Sequence, residues 1–283
     1  MSNNPVLNRN PYFNAQAATP NTAYAGEQFA QQQQAYAQFQ AQQQHAQQSA
    51  YAQGPFVQQP VAVMTYDDAM VRTFELLAVA IVAGIATAVF VPLQSIGTVA
   101  IVASLAAFAF GMWASFQRMV KPVLAFLYSG LQGVALGALT GALDILYPGI
   151  AFQAVLGTVI VVAVAVGLHM SGKVRTTPKG RRIMLTVMIA AIIFSFVNLI
   201  LIWTGVASGM WGLASGNFGI VLGFLMIAVA GYMLISDLET IQIAVAKGAP
   251  KEFAWTCALG IVMTVLWIYI EVLRLLSIFA NRS

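Results

Sequence analysis

Two carboxylates, Asp237 and Glu239, stand near the end of an apolar run that begins at Phe218. A third, Glu271, lies in the next apolar run, with Arg274 three residues on. Charged residues make up only 8% of the 283-residue chain, and 59% of it is hydrophobic. Ionisable groups on membrane-length helices are costly to insert, so they mark ion paths or proton relays before anything else. Asp237 can take up a proton or touch a passing cation. Glu271 and Arg274 share a helix face and can pair, as a structural ion pair near one interface or as a charged gate in a water-filled path. Other polar groups within apolar runs include Gln132, Gln153, His169, Asn198 and Thr264.

The elements that must position these groups are legible as apolar runs. Seven follow residue 64, at about 73–91, 97–117, 122–143, 150–170, 183–204, 217–241 and 253–279. Each is near the roughly 20 residues an α-helix needs to cross the hydrocarbon core. The fold class expected is therefore an all-α polytopic membrane bundle over 64–283. Residues 1–63 are rich in Gln, Ala, Asn and Tyr, a composition too poor in branched apolar residues to fold, and are expected to be a disordered tail. Its start shows no basic segment running into an apolar core, so no signal peptide is expected. Thr65 and Asp68 have capping-box spacing and set a helix start.

Loop charge sets orientation. Arg118 and Lys121, then Lys173, Arg175, Lys179, Arg181 and Arg182, then Lys247 and Lys251 fall in alternate connections. Loops 92–96, 144–149 and 205–216 carry no Lys or Arg. The basic loops are expected in the cytoplasm of a cell (plasma or inner) membrane, with the tail inside and the C-terminus outside. The net charge of +4 thus reports topology and not nucleic-acid binding. The single cysteine, Cys257, excludes an internal disulfide, and no Cys/His metal spacing exists. No cofactor is expected.

Depth follows from the rise of 1.5 Å per residue. With the seventh helix starting near Phe253, Thr264 lies roughly 16 Å in and Glu271 roughly 27 Å in. Folding the last two helices about residue 248 brings Asp237 level with 259–264, so Asp237 faces Thr264 and not Glu271. Gly133, Gly137 and Gly141 recur every four residues on the third span, and Gly219 and Gly223 do so on the sixth. Such spacing lets helix backbones approach closely in lipid, within one chain or between two.

Three stretches together resemble the Bax inhibitor-1 family, in its bacterial branch. They are Tyr232-Met233-Leu234-Ile235-Ser236-Asp237, Leu131-Gln132-Gly133-Val134-Ala135-Leu136-Gly137, and Ile270-Glu271-Val272-Leu273-Arg274-Leu275-Leu276. The resemblance implies six helices around a central seventh. It also implies a pH-sensitive calcium leak in which acids of spans six and seven share a proton. Asp237 matches the first acid. Thr264 stands where the second would be, and Gln132 where many members have a glutamate. Two close carboxylates share a proton because both cannot ionise cheaply, so that switch is not intact here. Asp237 and Thr264 with backbone carbonyls would offer calcium only a weak, transient contact, since calcium takes six to eight oxygens.

The functional expectation is a cation leak through the lipid bilayer, with Asp237, Thr264, Glu271, Arg274 and Gln132 as its residues. The alternative is a non-transporting regulator that binds another membrane protein, such as a quality-control protease. An intramembrane enzyme is not expected, because no aspartate pair shares a level and no zinc or Ser/His motif is present.

Overall fold

A computed structural model of the chain describes residues 62–207, 209 and 211–282, with residues 34, 37, 38 and 41 before them. The expected disordered tail, 1–63, therefore lies almost wholly outside the described residues. Residues 61–283 form one compact unit.

The expected seven helices are present: α1 Tyr66–Phe90, α2 Leu93–Ser115, α3 Pro122–Leu146, α4 Ile150–Met170, α5 Pro178–Trp203, α6 Gly216–Ala246 and α7 Phe253–Ala280. A short 3-10 turn, Gly212–Ala214, precedes α6. All seven are long and apolar enough to cross a membrane, and the protein is a multi-pass membrane protein. Among the described residues the sole β pairing is an isolated bridge between Val63 and Pro250.

Caps and not hydropathy set several helix ends. The Thr65 side chain accepts from Asp68 N at 3.1 Å while Asp68 Oδ2 accepts from Thr65 N at 3.0 Å, so α1 starts ahead of its apolar run. At α5, Thr177 caps Gly180 N and Pro178 takes the first helical position, where its missing N–H costs nothing.

Contacts between connections define two ends of the bundle. At the basic end Met64 N donates to Ala249 O and Lys251 N to Ala62 O, each at 2.8 Å. Lys251 also pairs with Asp68 at 3.3 Å, and Val120 N donates to Thr256 Oγ1. At the opposite end Tyr147 donates to Asn281, Trp211 to Ser277, and Arg282 to Asn217. Alternate connections thus gather at one end, as the charge pattern requires.

Hydrophobicity alone cannot drive helices together in lipid, so small residues decide which pairs approach. The glycines of α3 meet an equivalent stripe on α1. A Cβ at Gly133 would strike the Ala80 backbone, and one at Gly137 the Gly84 backbone. Gly141 faces Ala88. The α3 glycine stripe is used within the chain.

The central helix is α7, which packs on α1, α3, α4 and α6. Val272 fits over Gly157 of α4, and Leu275 over Gly223 of α6, where an added Cβ would lie 2.5 Å from Leu275 Cδ2. Tyr269 and Thr140 of α3 share a hydrogen bond of 2.8 Å. The remaining two helices lie further out. α2 rests on α3, and α5 buries no residue. α5 is held by the 3-10 turn, by Phe194 against Phe218, and by its first turn.

Candidate functional site

The seam between α6 and α7 carries the buried polar groups. Thr264 Oγ1 donates to Asp237 Oδ2 at 2.6 Å, and its residue is 7% exposed. The same hydroxyl lies 3.2 Å from Gly260 O, its own helix's carbonyl one turn back. Backbone hydrogen bonding of that kind leaves the Thr264 oxygen fixed and aimed at α6. A Cβ at Gly260 would meet nothing within 4 Å, so space adjoins the pair on its basic-end side.

Glu271 lies seven residues beyond Thr264, on the same face of α7, roughly 10 Å further along the axis. Its Oε2 is 2.6 Å from Arg274 Nη2, and its Oε1 accepts from Trp267 Nε1 at 3.2 Å. The side chains are 6% and 12% exposed for Glu271 and Arg274. The ion pair is short but poorly aligned, and Arg274 Nε finds no acceptor among the described residues. The two acids therefore have separate partners. Between their levels stand Leu234 and Ile268, 1% and 0% exposed, so the seam is dry there.

Gln132 is half-buried on α3, and no side-chain hydrogen bond joins it to Asp237, Thr264 or any other described residue. It is not part of this cluster. Among the described residues no group of three His, Cys, Asp or Glu side chains is arranged to hold a metal ion.

Several contacts of α6 within two turns of Asp237 have no counterpart in the sequence reading. Glu239 accepts from Thr176 N at 2.8 Å with one oxygen and is bonded to the Thr176 hydroxyl with the other. Thr177 N donates to Tyr232 Oη at 3.2 Å. His169 Nε2 and Gln242 Nε2 are 3.0 Å apart. Glu239 is thus tied to the α4–α5 connection and not merely solvated, and His169 reaches α6. The signal available in sequence was Thr176-Thr177-Pro178, whose hydroxyls precede a helix start and need acceptors.

A family model described as Bax inhibitor 1 like matches residues 4–281, nearly the whole chain. No curated protein and no solved structure matches it.

Proposed function

The chain belongs to the Bax inhibitor 1 like family, and on that premise we propose that it is a pH-sensitive cation leak with calcium as its permeant ion. The observation that carries this reading is the Asp237–Thr264 pair, two oxygens from facing helices at one level of an apolar seam. A carboxylate held there attracts a cation that has shed part of its water. The donor set is small beside the six to eight oxygens calcium prefers, so residence is short, as a leak needs and a storage site does not. Protonation removes the charge on Asp237, which makes passage depend on pH through this residue. Glu271 and Arg274 form the second polar level, a constriction toward the end without basic loops. Leu234 and Ile268 keep the path closed between the two levels. By the loop charges, the basic end faces the cytoplasm and the C-terminus the outside of the cell membrane.

Calcium flux into liposomes holding the purified protein tests the reading across about pH 6 to 8, a range in which proton-switched groups act. Wild type should conduct with a pH dependence that Asp237→Asn abolishes. No flux above empty liposomes from folded protein overturns it, and the regulator that binds another membrane protein takes its place.

A further inference from the structure

We infer that the α4–α5 connection, residues 171–177, is a lid on the basic-end mouth of the Asp237 site, latched by Glu239 as a positioning residue and carrying Arg181 as its counter-charge. The lid itself stands on contacts, and only its consequence for cations rests on the flux reading above.

Three contacts hold the connection against α6. Glu239 uses both carboxylate oxygens on one residue, Thr176, through its backbone N–H and its hydroxyl. Hydrogen bonds to an ionised acceptor are about twice as strong as neutral ones, so this is the main fastening. Tyr232 accepts from Thr177 N one turn before Asp237, and its ring end packs on Gly180. Gln242 meets His169 one turn after Glu239. Tyr232, Glu239 and Gln242 share the face of α6 that is turned to the connection, while Asp237 at the same depth is turned to α7.

The connection also plugs. Val174 is the apolar residue of the connection that packs, half-buried, against the core cluster to which Leu238 and Ile241 of α6 belong. The latch sets where α5 begins, because Thr177 is both its cap and a fastened residue. Arg181, in the first turn of α5, follows Gly180, which packs on the ring end of Tyr232, so its charge is brought to the stretch of α6 that carries Asp237. A guanidinium there competes with any cation for the carboxylate. Lifting the lid removes plug and counter-charge together, whereas a loose connection without a latch would leave Asp237 open at all times.

Cys257 is the chain's single cysteine, lies two turns before Thr264 on the same face of α7, and is buried in one cluster with Leu238 and Ile241 of α6, so it reports on the basic-end side of the site. Full-length protein in lipid nanodiscs, with both faces accessible, is treated with neutral, cationic and anionic methanethiosulfonates. The neutral rate reads opening, and the cationic-to-anionic ratio reads local charge. Glu239→Gln should raise the neutral rate roughly tenfold, from loss of a charge-assisted fastening. Thr176→Val should raise it in the same direction, whereas Thr176→Ser, which keeps the hydroxyl, should match wild type. Arg181→Gln should leave the neutral rate near wild type and raise the cationic-to-anionic ratio roughly fivefold. A Glu239→Gln or Thr176→Val neutral rate equal to wild type, in protein whose Cys257 reacts fully in denaturant, overturns the latch. An unchanged ratio in Arg181→Gln overturns the counter-charge. Neither readout requires flux, so a silent flux assay leaves this test standing.

Discussion

Replacing Arg274 with methionine leaves the Glu271 carboxylate inside the bundle without its cation. The pair is 2.6 Å apart, with side chains 12% and 6% exposed, so both charges have lost nearly all contact with their surroundings outside the protein. Breaking such a buried pair from one side costs roughly 3–5 kcal/mol, because the surviving charge stays buried. Glu271→Gln costs less than Arg274→Met, since the amide oxygen still accepts the Trp267 N–H. The double variant Glu271→Gln/Arg274→Met has no stranded charge and should fall within about 1 kcal/mol of wild type, since neutral replacements of buried pairs are often tolerated. The cycle then gives a coupling energy of at least about 2 kcal/mol. Reversible unfolding in mixed detergent and SDS micelles measures all four proteins. Additive single costs, each below about 1 kcal/mol, are what a solvated pair gives. That result refutes the dry seam and puts water at the Glu271 level even when the path is closed.

Three further outcomes follow from the packing. Gly137→Ala drives a methyl into the Gly84 backbone and should cost at least about 1–3 kcal/mol by overpacking. Gly97→Ala, whose methyl meets nothing within 4 Å, is its control, and the loss of monodisperse protein on sizing columns separates the two. Asp144→Ala removes the acceptor for Gly149 N at 3.0 Å and Ala151 N at 3.2 Å, which should cost about 1 kcal/mol, as for other helix caps; Asp144→Asn should recover most of it in the same unfolding assay. Ile268→Thr places a hydroxyl in the dry layer between the polar levels, should cost roughly 1–3 kcal/mol, and should raise calcium flux over wild type. Equal flux would show that this layer does not limit passage.

Legibility in the sequence followed the kind of signal involved. Apolar runs of membrane length announced all seven helices, because lipid forces a continuous stretch. Their ends were less visible. Hydropathy alone put the first turn of α1 and of α5 in the loops; the Thr65–Asp68 capping box was legible and does start α1, whereas Thr177 with Pro178 at the start of α5 was not read. Counting rise along two antiparallel helices was enough to set Thr264 opposite Asp237, and the i,i+3 rule enough to pair Glu271 with Arg274. The partner of the α3 glycines was missed although Ala80, Gly84 and Ala88 repeat at the same spacing on α1. Hidden altogether was the pairing of 62–64 with 249–251, since backbone hydrogen bonds leave no side-chain signature. The outer placement of α2 and α5 is equally silent, because a helix exposed to lipid and one buried in protein are both apolar.

On the leak reading proposed above, the packing bears on which element would move. α7 is fixed on three sides by α1, α3 and α4, through the Tyr269–Thr140 bond and the Val272 contact at Gly157 among others. A shift of α7 would break these at once. α6 meets α7 through Leu275 at Gly223 near one end and through Asp237–Thr264 further along. A methyl at Gly231, between those points, would meet nothing within 4 Å. The fastenings of α6 toward the basic end are polar and reversible: Glu239, Tyr232 and Gln242. Packed apolar contacts are bistable at best, while a few hydrogen bonds at a boundary with water exchange at low cost. On that reading, the α4–α5 connection therefore moves first, giving up those hydrogen bonds while the α6–α7 interface, the most extensive that α7 makes, stays packed.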